Sequence, residues 1–120
     1  MTIYNLPANK LGQLAGAPSA PMGVKAGATA VVVDAANAIN RIDGDSAVAA
    51  AVAVTCLNVP LQGIMVLLLR ATGVGTVTYT MGAGFKVGAT AAPTTGKQIA
   101  ISFVSNGTDF IEIGRSSTAL

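Results

Sequence analysis

The sequence has 120 residues, enough for one domain and too few for two of ordinary size. Only 10% of them are charged against 52% apolar, with a mean hydropathy of +0.63, whereas a soluble domain usually carries about a quarter charged residues; so little charge predicts a subunit covered by copies of itself or by a larger assembly. The net charge of +2 comes from seven dispersed Lys and Arg, which excludes the basic footprint of a nucleic-acid binder, and the single cysteine excludes an intrachain disulfide.

Residues 1–27 stand apart in composition. Pro7, Pro18, Pro21, Gly12, Gly16 and Gly23 separate isolated apolar points at Tyr4, Leu6, Leu11 and Leu14. Such a segment builds no core of its own, so it predicts an extended N-terminal arm that packs on a neighbouring molecule. No basic region followed by an apolar run marks it as a secretory signal, and assembly in a reducing cytoplasm is expected.

From residue 28 to residue 120 short apolar segments alternate with turn residues. Ala28–Val33 and Ala38–Ile42 read as strands, the second closed by a turn over Asp43, Gly44 and Asp45. Ala47–Leu57 is ambiguous: its alanines favour a helix, Val48, Val52, Val54 and Thr55 favour a strand, and the surrounding spacing decides for strand. Ser46–Leu69 contains no charge and is long enough to span a bilayer. Its centre, Leu57–Gly63, holds Asn58, Pro60, Gln62 and Gly63, which predict a connection between two strands and exclude a span. Gly63–Arg70 and Thr76–Thr80 follow as strands. Val77 and Tyr79 lie on one face of the latter and threonines on the other, as in a sheet with one wet side. Ile64–Leu69 is apolar on both faces, so one is expected to pack in the body and the other, Met65, Leu67 and Leu69, on another subunit. The pattern predicts an all-β, antiparallel β-sandwich or jelly-roll-like body carrying the N-terminal arm.

The closing segment, ISFVSNGTDFIEIGRS (Ile101–Ser116), reads as a hairpin. A three-residue loop over Ser105, Asn106 and Gly107, with Gly107 left-handed, pairs Ile101 with Ile111 and Ile99 with Ile113 and gathers the aliphatics on one face.

Candidate chemistry is sparse. There is no histidine, hence neither the usual general base nor the commonest metal ligand. Cys56 lies in an apolar run and reads as a buried small hydrophobe. Asp43 and Asp45 offer too few oxygens for a calcium loop. Gly73, Gly75, Gly82, Gly84 and Gly88 lack the Gly-Lys-Ser/Thr setting of a phosphate loop, and Asn106-Gly107-Thr108 matches a glycosylation acceptor only in a secreted chain. Arg41, Arg70, Lys86, Lys97 and Arg115 read as solvated cations, of which Arg70 and Arg115 are the first candidates for steering a docking event. No catalytic residue, cofactor site or metal site is expected.

GFKVGATAAPT (Gly84–Thr94) followed by the closing hairpin resembles a β-rich module of tailed-bacteriophage virion proteins, in which a turn with Phe and Gly-Thr-x-Pro precedes a hairpin of the form I-S-F-x-x-[DN]-G-T-x-[WF]-x-E-x-G. The resemblance covers at most Ala47–Ser116 and departs from the module's aromatic preference at Phe110 and Ile111. It implies a structural virion protein: either a head cement protein, forming homotrimers on the major capsid protein at the capsid surface, or a fibre-tip or receptor-binding module of the tail. Tyr4, Leu6, Leu11, Leu14, Met65, Leu67 and Leu69 are the expected capsid or subunit contacts, with neither nucleic acid nor membrane as partner.

Overall fold

Alternation of inward and outward side chains sets the strands of this chain. The computed structural model describes residues 29–116. In chain order these form β1 (Ala30–Asp34), β2 (Ile39–Gly44), β3 (Ala51–Leu57), β4 (Ile64–Ala71), β5 (Thr78–Met81), β6 (Phe85–Lys86), β7 (Gln98–Ser105) and β8 (Phe110–Arg115), with no helix among the described residues. The arm expected over residues 1–27 lies outside them.

Residues 47–57 show how the competition between helix and strand is resolved. Val52, Val54 and Cys56 point inward and are buried, while Ala51, Ala53 and Leu57 are exposed. Helix propensity separates Ala from Val by less than about 1 kcal/mol per residue, whereas burying one valine contributes roughly 1.5–3 kcal/mol. A row that buries every second residue therefore prevails. Only Ala47–Ala50 stay outside the strand, in a turn organised by Asp45: its carboxylate accepts the Ala47 N–H (2.9 Å) and its carbonyl accepts those of Val48 (3.0 Å) and Ala49 (2.9 Å). The turn thus starts later than the sequence suggests, since Asp43 and Gly44 still belong to β2.

The body is all-β and consists of a three-stranded sheet, β1-β3-β5, and a five-stranded sheet, β2-β4-β7-β8-β6. Between its named strands, β4–β7 and β7–β8 are antiparallel, while β1–β3, β3–β5, β2–β4 and β6–β8 are parallel. Connectivity explains this. From β1 to β5 successive strands alternate between the sheets, so each strand stacks beside the one two places earlier and runs the same way. The chain winds as a flattened coil and only then doubles back through β7 and β8. The outer edge of β5 is covered by Ala91, which exchanges two backbone hydrogen bonds with Tyr79 (2.7 and 3.0 Å).

The space between the sheets is filled from two ends. At one, Phe85, Phe103 and Phe110 cluster with ring centroids 5.0 to 6.5 Å apart. At the other, the buried Tyr79 hydroxyl donates to the Arg70 carbonyl (2.5 Å) and lies 3.3 Å from that of Ile42. Burial, with a smaller contribution from Asp43, pushes this phenol up to about 12, so it remains a proton donor. Gly44 faces the ring, and a Cβ there would stand 2.5 Å from the hydroxyl oxygen.

The final hairpin does not use the three-residue loop that the hydrophobic pattern suggests. Ser105 pairs with Phe110 across a four-residue loop, Val104 with Ile111 and Phe103 with Glu112. Asn106 organises that loop by accepting the Thr108 and Asp109 N–H groups on Oδ1 (2.9 and 2.8 Å). A bulge at Ile113 then shifts the register, so that Ile101 lies opposite Arg115. The longer loop lets Phe103 and Phe110 both reach the core, which outweighs the aliphatic pairing of Ile101 with Ile111. Gly107 adopts φ +95°, the left-handed conformation expected of it.

Candidate interaction surface

Strand β4 determines which face of the molecule can meet a partner. Met65, Leu67 and Leu69, expected at a subunit interface, have 0% exposure within a single chain. They cannot line such an interface, because this side of β4 faces the other sheet and forms the core. Alternation assigns the outward role to Ile64, Val66 and Leu68 instead. Tyr4, Leu6, Leu11 and Leu14 lie outside the described residues.

Strand pairing extends this outward row into a surface. Ile64 lies beside Val104, and Val104 beside Ile111. Val66 is flanked by Ile39 and Ser102, and Leu68 by Arg41 and Ala100. Six large aliphatic side chains from four strands thus share the outer face of the five-stranded sheet. Ile64 is 70% exposed and Val104 40% exposed; the others are half-buried. Contiguous apolar surface of this kind, bounded by polar groups, is characteristic of binding faces.

The boundary is charged. Asp43 sits between Arg41 (3.3 Å) and Arg70 (3.2 Å), leaving one positive charge in excess beside Leu68. Arg115, the other candidate for steering, is committed elsewhere. Its guanidinium holds the Glu112 carboxylate in two bonds (2.6 and 2.8 Å) and donates to the carbonyls of Ala89 (3.1 Å) and Thr90 (3.0 Å). This hydrogen bonding holds the Glu112 carboxyl below the usual carboxylate range and raises Arg115. The pair clasps residues 88–90 to β8 and is structural.

The outer face of the three-stranded sheet differs in kind. Ala51, Ala53, Thr78 and Thr80 make it mixed, with Val32 and the more exposed Leu57 as its large aliphatics at one end. Cys56 faces inward and is buried, and burial pushes its thiol up, away from a reactive thiolate. Among the described residues no group of three His, Cys, Asp or Glu side chains could hold a metal ion. One open cleft of about 730 Å³ lies at the end of the sandwich, where Asp34 and Ala38 approach Asn58, Gln62 and Ile64. The chain matches no protein-family model, no curated protein and no solved structure.

The sequence marks β4 as apolar on both sides and expects the contact on Met65, Leu67 and Leu69, the side that the structure buries between the sheets. Ile39, Val104 and Ile111 could not be assigned to the surface because their membership depends on sheet order and hairpin register. The available signal was parity along β4: its even-numbered residues end at Arg70, a polar group, while its odd-numbered ones do not.

Proposed function

We propose that this chain is a structural, non-catalytic subunit of a tailed-phage virion: a head cement protein that assembles as a homotrimer on the capsid surface, contacts the major capsid protein and stabilises the shell, having been made in the bacterial cytoplasm. The observation that carries an assembly role is the aliphatic outer face of the five-stranded sheet, in a protein with too few charges to keep such a face in water. The virion setting is supported by the resemblance of Gly84–Thr94 and Ile101–Ser116 to the phage module. Trimerisation through Ile64, Val66, Leu68 and Val104 would bury this face, and the Arg41–Asp43–Arg70 rim would favour an acidic neighbour.

Expanded empty capsids of the phage that encodes the chain provide the test. Added protein should bind to saturation and raise the temperature at which the shells open, whereas absence of binding overturns the cement reading. The second reading, a tail fibre-tip or receptor-binding module, is favoured by the cleft beside Asp34, Asn58 and Gln62, whose hydrogen-bonding groups suit a polar receptor. Attachment to host cell surfaces with no affinity for capsids would select it.

A further inference from the structure

Opposite charges gather at the two ends of β4. At its start, Ile64 lines the open cleft of about 730 Å³ together with Asp34 from the end of β1 and Asn58, Pro60 and Gln62 from the connection that leads into β4. Asp34 is the only charged residue of that lining. Its Oδ1 accepts the Ala36 N–H (2.8 Å), while Oδ2 has no partner among the described residues. At the far end, Arg41 and Arg70 share the single carboxylate of Asp43. Arg70 spends only Nη1 on it (3.2 Å), and its Nε and Nη2 make no hydrogen bond to a described residue.

The unpaired carboxylate and the surplus cation cannot meet within one chain. Ile64 and Arg70 stand six residue steps apart on an extended strand, about 20 Å at about 3.3 Å per residue, which is beyond the reach of an arginine side chain. Between them runs the aliphatic row of Ile64, Val66 and Leu68, so the cleft opens at one end of the apolar face and the arginines stand at the other. Apolar surface continues around the cleft end, where Leu61 is 84% exposed.

We propose that the cleft is the socket for Arg70 of a second copy of this chain. The Asp34 carboxylate pairs with the incoming guanidinium, the amide oxygens of Asn58 and Gln62 accept from its remaining N–H groups, and Pro60 and Ile64 cover its methylene stem. A guanidinium suits such a lining because it presents five donors in one plane, no acceptor, and a weaker hydration shell than an ammonium. Arg41 stays with Asp43, so moving Arg70 into the neighbour leaves no carboxylate without a cation. Each copy gives an arginine at one end of β4 and receives one at the other, and three such contacts can close into a ring. This contact rests on the trimeric reading above and supplies the acidic neighbour that the arginine rim calls for.

Light scattering over a dilution series tests it. Asp34→Asn keeps an acceptor for the Ala36 N–H and removes the charge, so it should raise the concentration at which trimers dissociate by about tenfold or more. Asp34→Arg and Arg70→Asp should each weaken the trimer further, and the two together, which exchange the charges, should recover part of the loss, all with the circular dichroism of the parent. A trimeric parent whose Asp34→Asn variant dissociates at the same concentration, or whose exchanged pair is no more stable than either single variant, overturns the contact and leaves the trimer standing. A monomeric parent overturns the trimer and the contact together.

Discussion

Substituting Gly44 by alanine probes the contact between β2 and Tyr79. The added Cβ would stand 2.5 Å from the Tyr79 hydroxyl and 2.9 Å from Val77 Cγ1, both fully buried, so one of them must shift within the core. Overpacking of this size costs about 1–3 kcal/mol. Displacing the phenol from the Arg70 carbonyl adds about 1–3 kcal/mol for buried groups left unpaired, and the lower chain entropy of alanine in the unfolded state returns about 0.4–1 kcal/mol. Gly44→Ala should therefore destabilise the protein by about 2–4 kcal/mol, read as a lower urea midpoint with an unchanged slope. Tyr79→Phe alone should cost about 1–2 kcal/mol. The double variant removes the nearest obstacle to the new methyl group, so its loss should fall short of the sum by about 1 kcal/mol or more. Strict additivity, or a Gly44→Ala protein as stable as the parent, would refute the packing described for Tyr79.

Two further substitutions address the core and the clasp. Leu67→Asp places a charge at a site with 0% exposure, so the chain should lose its β-sheet circular dichroism at every protein concentration; a folded monomer would show that Leu67 is not core. Glu112 has its native pKa lowered by Arg115 from an ordinary value of 4.5, so the pair's contribution is complete above that value and is lost as pH falls through the lowered one. Glu112→Gln should cost about 1 kcal/mol at pH 7, and urea midpoints of variant and parent should converge on acidification through that range; a gap independent of pH would count against the ion pair.

The sequence makes the strands legible because each carries its own period-2 pattern, from Val31 and Val33 on β1 to Val77 just before β5 and Tyr79 on it. It does not reveal their partners. That β1 pairs with β3 and β2 with β4 follows from crossing between sheets at every connection from β1 to β5, and crossing leaves no local mark that distinguishes it from a hairpin. The same blindness put Met65, Leu67 and Leu69 on the outer side of β4, whereas the structure buries them. Met65, Leu67 and Leu69 and their alternates Ile64, Val66 and Leu68 are equally apolar, and the choice between them depends on which side the three-stranded sheet covers. In the last hairpin the aliphatic pattern favoured a short loop, whereas the burial of Phe103 against Phe85 and Phe110 set the longer one. Gly107 was readable in advance because its left-handed backbone is a local requirement.

The central claim is that the outer face of the five-stranded sheet is an assembly interface. Its most direct test is the native mass of the purified protein by light scattering, measured for the parent and for Leu68→Asp. The parent should have three times its 11.8 kDa chain mass, and Leu68→Asp should be a monomer with unchanged circular dichroism. A parent that is monomeric at high concentration, or a Leu68→Asp protein that remains trimeric, would contradict the claim.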